Sequence, residues 1–301
     1  MANDYNILKV FRQGQEVHFV LSQNSAYVVG MPDASLYTPD CDFVGIAKHY
    51  GFDGTGWSDE RIVNLPDVQK DLDTEFQDGG VCLHGNWITS LDVKAHRKGI
   101  VQLNPLGVIG VTKTKDHQLV IGLRGGELTP EGREIYGRGY LGAFPGGSAS
   151  WKESYEHDVA IDTIVREARE EMGDVGVRVE GVVGYVTNTG VIPSSNLVMR
   201  LGTDATLSQL QDINERSIRT MNNLLEDYFG HGRSGDISKI LMDAGLAPDA
   251  WENEVLFGIP KNPRKILFTI KALKDSFTGS TSGALDAYVQ HRWPDFEHPE
   301  F

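Results

Sequence analysis

The sequence predicts an α+β protein, an α/β/α sandwich built on a mixed sheet and preceded by a small β-rich N-terminal domain. From about residue 100 the predicted elements run strand, strand, long loop, helix, strand, strand, helices, strand, helix. A helical pattern with one apolar face covers residues 158–172. The first hundred residues instead carry short β-prone runs that are interrupted by turn residues.

Composition and charge narrow the class of protein. A chain of 301 residues is long enough to bury a full core. Its formal net charge of -14 argues against nucleic acid as a partner, since an acidic surface repels phosphate backbones, although a small nucleotide held by a local metal ion stays compatible. No stretch approaches the roughly 20 apolar residues that span a bilayer. The N-terminus lacks a secretory pattern, and Cys41 and Cys82 lack metal or redox spacing, so we expect a cytoplasmic protein with free thiols.

Residues 1–98 are predicted to form the N-terminal domain. Three runs predict a small β-meander: Ile7–Phe11, Glu16–Leu21 and Ser25–Gly30. Residues 59–76 have a more helical character but include Pro66. The polar residues of the N-terminal domain as a whole form no pattern typical of a metal or catalytic site, so we expect the chemistry to lie elsewhere in the chain.

Residues 99–301 are predicted to form the second domain, with a helical insertion near residues 205–250. It begins with a hairpin and a glycine-rich loop at residues 125–140, and Gly173 is predicted to end the helix in the αL conformation. The predicted strands are Val108–Thr114, Gln118–Leu123, Val175–Val186, Asn196–Leu201 and Glu254–Ile259. The remaining predicted helices are Leu207–Phe229, 236–244 and Leu285–His291.

The helix at 158–172 carries the strongest functional signal. Three carboxylates, those of Glu167, Glu170 and Glu171, lie within five residues and share one helical face. The opposite, apolar face is predicted to consist of Ile161, Val165, Ala168 and Met172. Carboxylates this close repel one another unless a cation offsets their charge, and hard divalent cations prefer such oxygen ligands. The pattern therefore indicates metal-assisted chemistry on a phosphate ester or anhydride.

A glycine-rich turn, Phe144-Pro145-Gly146-Gly147, precedes this helix. Gly146 and Gly147 would let the backbone turn sharply and approach the helix without a Cβ clash. Without that turn, the acidic run would be typical of a solvated helix face with ion pairs between successive turns. The two features together favour a functional site.

These residues resemble the Nudix hydrolase superfamily, whose box reads G-x5-E-x7-R-E-U-x-E-E-x-G-U, where U is a bulky aliphatic residue. Residues 166–173 match its second half, with Ala168 at the aliphatic position. The first half departs from it, because the box glutamate falls on Asp158 and the box glycine on Lys152. If Gly147 is the equivalent glycine, a five-residue insertion follows it.

The resemblance implies a Nudix-type diphosphatase that uses Mg²⁺ or Mn²⁺. The metal ligands would be Glu167, Glu170 and Glu171, with Glu170 serving either as a ligand or as a base. Arg166 would steer these carboxylates, for instance by pairing with Asp162. Many members take the general base from a later loop.

Other residues would complete the site. The candidates for the general base in a later loop are Glu252 and Glu254, and we assign the role to Glu254. Substrate binding would involve Arg124 and Arg138 as phosphate clamps, together with Gly146 and Gly147.

The expected substrate is a nucleoside diphosphate linked to another moiety, with a nucleotide sugar as the first candidate and ADP-ribose as the second. The N-terminal domain, followed by Asn104-Pro105-Leu106-Gly107-Val108, is similar to the Nudix branch that hydrolyses UDP-glucose and UDP-galactose. The altered first half of the box leaves an alternative open, a catalytically weak Nudix-fold protein that binds a nucleotide and regulates a partner. The helix at 207–229 would either cover the site or form the face of a homodimer.

Overall fold

A mixed eight-stranded sheet and a three-stranded sheet organise the computed structural model, which describes residues 5–27, 61–74, 79–97, 102–125, 139–150, 158–188, 194–231 and 236–297. The strands are β1 (Tyr5–Val10), β2 (Val17–Tyr27), β3 (Arg61–Asn64), β4 (Val81–Thr89), β5 (Leu106–Lys113), β6 (Gln118–Arg124), β7 (Leu141–Ala143), β8 (Gly146–Ser148), β9 (Arg178–Asn188), β10 (Ser194–Gly202) and β11 (Asn253–Pro260). The helices are α1 (Val68–Asp73), α2 (Ser90–Arg97), α3 (Val159–Met172), α4 (Leu207–His231), α5 (Ile237–Asp243), α6 (Pro263–Ala272) and α7 (Gly279–Arg292).

The large sheet has the strand order β1-β9-β10-β5-β6-β11, with β7 paired to β6 and β8 paired to β5. Strands β5 and β10 are parallel, whereas the other paired strands of this sheet are antiparallel. The predicted α+β class with a mixed sheet is therefore confirmed.

Helices cover both faces of this sheet because side chains along a strand point alternately to its two sides. Leu197 and Met199 of β10 share a core cluster with Ile164 of α3. Val198, between them in sequence, packs instead in the cluster that contains Leu285 of α7. The acidic helix thus lies on one face of the sheet and the last helix on the other.

The N-terminal region differs from the predicted meander. β1 is an edge strand of the large sheet, where it pairs with β9. β2 pairs with β4 in parallel and β3 pairs with β4 antiparallel, so the meander prediction is wrong. The predicted helical stretch at 59–76 contains β3 and, only after Pro66, the short α1.

The core also links the two halves of the chain. Leu65 and Leu83, from the N-terminal part, pack in the same cluster as Ile164 and Tyr185. A domain boundary at residue 98 stays a prediction. Within the described ranges, none of the helices is both long and apolar enough to cross a membrane.

Candidate functional site

Helix α3 begins and ends at residues suited to those positions. The side chain of Asp158 accepts a hydrogen bond from the Ala160 amide at 2.8 Å and caps the N-terminus. Gly173 ends the helix with φ 75° and ψ −165°, so the predicted stop is confirmed. Its conformation is not the expected αL but an extended one at positive φ that is essentially confined to glycine. A Cβ at this position would lie 2.8 Å from the Gly245 carbonyl oxygen.

The apolar face of α3 is rotated from the predicted one. Ile164 is fully buried, whereas the side chain of Val165, predicted to be in the core, is 45% exposed. Ala168 and Met172 are buried as expected. The rotation brings Glu171 into the interior, where it is 3% exposed.

Glu171 is held by two hydrogen bonds from different parts of the chain. Its Oε1 accepts from the Gly146 amide at 3.0 Å, and its Oε2 accepts from the Asn253 side-chain amide at 3.2 Å. Burial raises the pKa of Glu171 well above its usual value, and the charges of Glu252 and Glu167 raise it further. Nothing in the local sequence spacing predicted that a carboxylate of this helix would be interior.

Arg166 bridges the other two carboxylates of the helix. Its Nη2 lies 2.8 Å from Glu167 Oε1, and its Nη1 lies 2.8 Å from Glu170 Oε2. Burial raises the pKa of Glu167 to about 8; the charge of Arg166 lowers this pKa, and the charges of Glu170 and further carboxylates raise it. Arg166 therefore contacts two of the helix carboxylates directly, whereas its pairing with Asp162 and its steering role stay predictions.

A later segment brings two more carboxylates to the helix. The backbone amide of Asp249 donates to the Glu170 carbonyl at 2.9 Å, and a 3-10 helix at Ala250–Glu252 follows. Asp249 and Glu252 both raise the pKa of Glu167. Glu252 also forms an ion pair with Arg124. We call Glu167, Glu170, Glu171, Asp249 and Glu252 the acidic cluster.

Of the two later glutamates, Glu252 is therefore the one in the acidic cluster. The exposed side chain of Glu254, to which the base role was assigned, lies against Gly125. That role stays a prediction, and Glu252 is the better placed residue. The two positions differ by only two residues in sequence, but Glu252 ends the 3-10 helix whereas Glu254 lies at the irregularity near the start of β11.

The double glycine occupies a short strand rather than a turn. Gly146 and Gly147 belong to β8 and pair with Ile109 and Val108 of β5. A Cβ built on Gly147 would overlap the Glu167 carboxylate, so the predicted close approach to the helix is found. Gly146 contributes its amide to Glu171. Binding of substrate by these glycines stays a prediction, and Arg138 lies outside the described residues.

Asn253 was missed by the sequence analysis. Its side chain is 2% exposed and donates to Glu171, more than eighty residues earlier in the chain. One sequence signal could have indicated a close approach, the glycine within strand β6. A Cβ on that residue, Gly122, would overlap the Asn253 amide.

The donors of the acidic cluster suit a hard divalent cation in kind. The cluster holds five carboxylates and makes ion pairs with Arg124 and Arg166, while burial, with neighbouring carboxylates adding to it, raises the pKa of Glu167 and of Glu171. In the described part of the chain, however, no three acidic, histidine or cysteine side chains converge on one ion position. Arg166 engages Glu167 and Glu170 in this arrangement, so a cation would have to replace or share those contacts.

No protein-family model matches this sequence, and no curated protein is significantly similar to it. The resemblance to the Nudix box therefore rests on α3 and the residues that lead into it, and membership of that superfamily stays a prediction.

Proposed function

We propose that this protein is a Nudix-type hydrolase that uses Mg²⁺ or Mn²⁺ to cleave the pyrophosphate of a nucleoside diphosphate linked to another moiety. A nucleotide sugar is the first candidate substrate and ADP-ribose the second. One observation supports this most directly. Glu167 and Glu171, one helical turn apart, lie beside Glu252 with little exposure to solvent, and burial raises the pKa of both, as is common for carboxylates at functional sites.

Each residue of the cluster has a role in this proposal. Glu167, Glu170 and Glu171 would hold the metal ion, which when bound neutralises phosphate oxygens and activates water. Gly146 and Asn253 fix the orientation of the Glu171 carboxylate through their hydrogen bonds. Glu252 would accept the proton of the attacking water. Arg124, the ion-pair partner of Glu252, would contact the substrate phosphate.

The test is a panel of nucleotide sugars and ADP-ribose, incubated with the protein and Mg²⁺ and followed by phosphate-product detection. We expect Glu171→Gln to lower kcat/KM by about 10²- to 10⁴-fold, because it removes the buried charge. The matched control is Glu215→Gln, which makes the same chemical change at an exposed position of α4 and should leave turnover unchanged. Equal turnover by wild-type protein and the Glu171 variant would refute the proposed site.

A second candidate function is a nucleotide-binding regulatory protein with weak catalysis. The observation that favours it is the contact of Arg166 with both Glu167 and Glu170, which leaves these carboxylates partly neutralised without a metal ion. This function predicts tight nucleotide binding that is independent of Mg²⁺, with no product formed. The same panel, read by calorimetry as well as by product detection, separates the two functions.

A further inference from the structure

A second charged cluster lies where several strands of the large sheet end. Lys113 and Arg200 contact one carboxylate, that of Glu180, and Lys261 and Arg292 lie nearby; we call these five residues the basic cluster. Four cations and one anion stand together in a chain whose formal net charge is -14. Such a local excess of positive charge, against the trend of the whole chain, requires an explanation.

The ends of several strands bring these residues together. Lys113 is the last residue of β5, and Gly202, next but one to Arg200, lies beside it on β10. Lys261 follows β11, and its amide donates to the His117 carbonyl at 3.0 Å. The acidic cluster lies near the other end of β6 and β11, where Arg124 pairs with Asn253. Strand length places the two ends about 20 Å apart, so the clusters are separate sites.

Glu180 uses both of its carboxylate oxygens on two of the cations. Lys113 Nζ lies 3.1 Å from Oε1, and Arg200 Nε lies 3.1 Å from Oε2. Among the described residues, no carboxylate pairs with Lys261 or Arg292. The pKa of Lys261 is lowered by burial and by the neighbouring positive charges of Arg292 and Lys113, which is consistent with an unbalanced cluster.

Two buried donors point to the same conclusion. The Tyr288 hydroxyl and the Arg292 Nε are buried and have no hydrogen-bond acceptor among the described residues. The whole Tyr288 side chain is buried, and burial raises its pKa to about 12, so the hydroxyl keeps its proton and can donate. Buried polar groups in proteins are nearly always hydrogen-bonded, so each unpaired buried donor needs an explanation, and a bound ion is one such explanation.

We propose that the basic cluster binds a phosphate-type anion, with a diphosphate group as the best match in charge. Such an anion offers several acceptor oxygens to the Tyr288 hydroxyl and Arg292, and guanidinium groups bind phosphate in a bidentate manner. A ligand with a single carboxylate, added to Glu180, would leave two of the four positive charges unbalanced. The proposal does not depend on the chemistry of the acidic cluster, because the anion binds here without a metal ion.

The test is calorimetric titration of the whole protein with inorganic pyrophosphate, in buffer freed of divalent cations so that the acidic cluster repels the probe. We expect the double variant Lys261→Gln/Arg292→Gln to bind at least about tenfold more weakly than wild type. Lys239→Gln, which removes an exposed lysine of α5, is the matched control and should bind like wild type. Glu180→Gln removes the one negative charge of the cluster and should strengthen binding.

Three results would overturn the proposal: no binding by the wild type, equal affinity in the double variant, or equal weakening by Lys239→Gln. If the double variant fails to fold, Lys261→Gln alone carries the test, since Lys261 has no ion-pair partner to lose among the described residues. Inorganic phosphate and a nucleoside diphosphate form two further arms. Tighter binding of the nucleotide identifies a nucleotide as the source of the phosphate, and equal binding identifies the free anion.

Discussion

The acidic and basic clusters place opposite excess charges near opposite ends of the same strands, yet they can relieve that excess in different ways. Glu167 and Glu171 can take up protons, and the pKa of Glu167 is raised to about 8 by burial and neighbouring carboxylates. Guanidinium groups such as those of Arg200 and Arg292 cannot lose their protons in proteins. The acidic cluster should therefore respond to both pH and cations, whereas the basic cluster should respond mainly to anions.

The largest expected effect is the pH dependence of stability without divalent cations. The folded pKa of Glu167 is about 8, above its usual value of 4.5, so between these values the folded state binds more protons than the unfolded state. Its stabilising contribution is complete below pH 4.5 and is lost as the pH rises through 8. We expect the free energy of unfolding, measured by urea denaturation, to fall by about 3–4 kcal/mol across this window.

Two controls tie that loss to the acidic cluster. Asp158 contributes in the same direction, because burial raises its pKa to about 6, so Glu167→Gln should flatten mainly the upper part of the profile. Added Mg²⁺ should restore stability near pH 8, since a ligand that binds only the folded state stabilises it. Added pyrophosphate, which is proposed to bind the basic cluster, should stabilise the protein at pH 5 as well as at pH 8 and so should not flatten the profile. If the unfolding free energy of the wild type stays constant from pH 5 to 8, the interpretation that ionisation of the acidic cluster destabilises the fold is contradicted.

The next effect in size comes from adding one more carboxylate to the acidic cluster. Asn253→Asp places an acid where an amide now donates to Glu171 at 3.2 Å. We expect a loss of about 2–3 kcal/mol in unfolding free energy at pH 8, because a hydrogen bond becomes a repulsion between buried charges. The loss should shrink at pH 5 and in Mg²⁺.

Asn196→Asp is the matched control for that variant. Asn196 is also buried, but it lies in β10, where its side-chain amide donates to Ser194. Burying a new carboxylate there should destabilise the protein without any response to Mg²⁺. If both variants respond equally to the cation, the effect is not specific to the acidic cluster.

The two clusters also differ in how far the sequence predicts them. Helix α3 and its stop at Gly173 follow from local pattern, because helix periodicity and glycine conformation are properties of neighbouring residues. The contact between Glu171 and Asn253 joins residues far apart in sequence, so local pattern could not reveal it. Local pattern also could not reveal that Ile164, and not Val165, lies in the core. The elements packed around a helix decide which of two adjacent apolar residues is covered.

The basic cluster was not predicted at all. Lys113, Glu180, Arg200, Lys261 and Arg292 come from separate elements with no recurring spacing. They meet only because β5, β10 and β11 end on the same side of the sheet. That arrangement depends on the order and direction of the strands. The strand order was not derivable from local pattern, as the unexpected place of β1 beside β9 also shows.

The smallest predicted effect tests whether the two clusters are independent. Gly147 and Gly202 each lie where a Cβ would overlap a carboxylate, that of Glu167 in the acidic cluster or that of Glu180 in the basic cluster. Each alanine variant should cost about 1–2 kcal/mol in unfolding free energy, because a side chain must shift to make room. The similar local geometry makes each variant the control for the other.

Their functional consequences should then diverge. Gly147→Ala displaces a proposed metal ligand and should lower Mg²⁺-dependent turnover while leaving pyrophosphate affinity in cation-free buffer unchanged. Gly202→Ala displaces the carboxylate that holds Lys113 and Arg200, so it should change that affinity while leaving turnover unchanged. If turnover and anion affinity change together in either variant, the sheet couples the acidic and basic clusters. The excess charge of one cluster would then have to be explained together with that of the other.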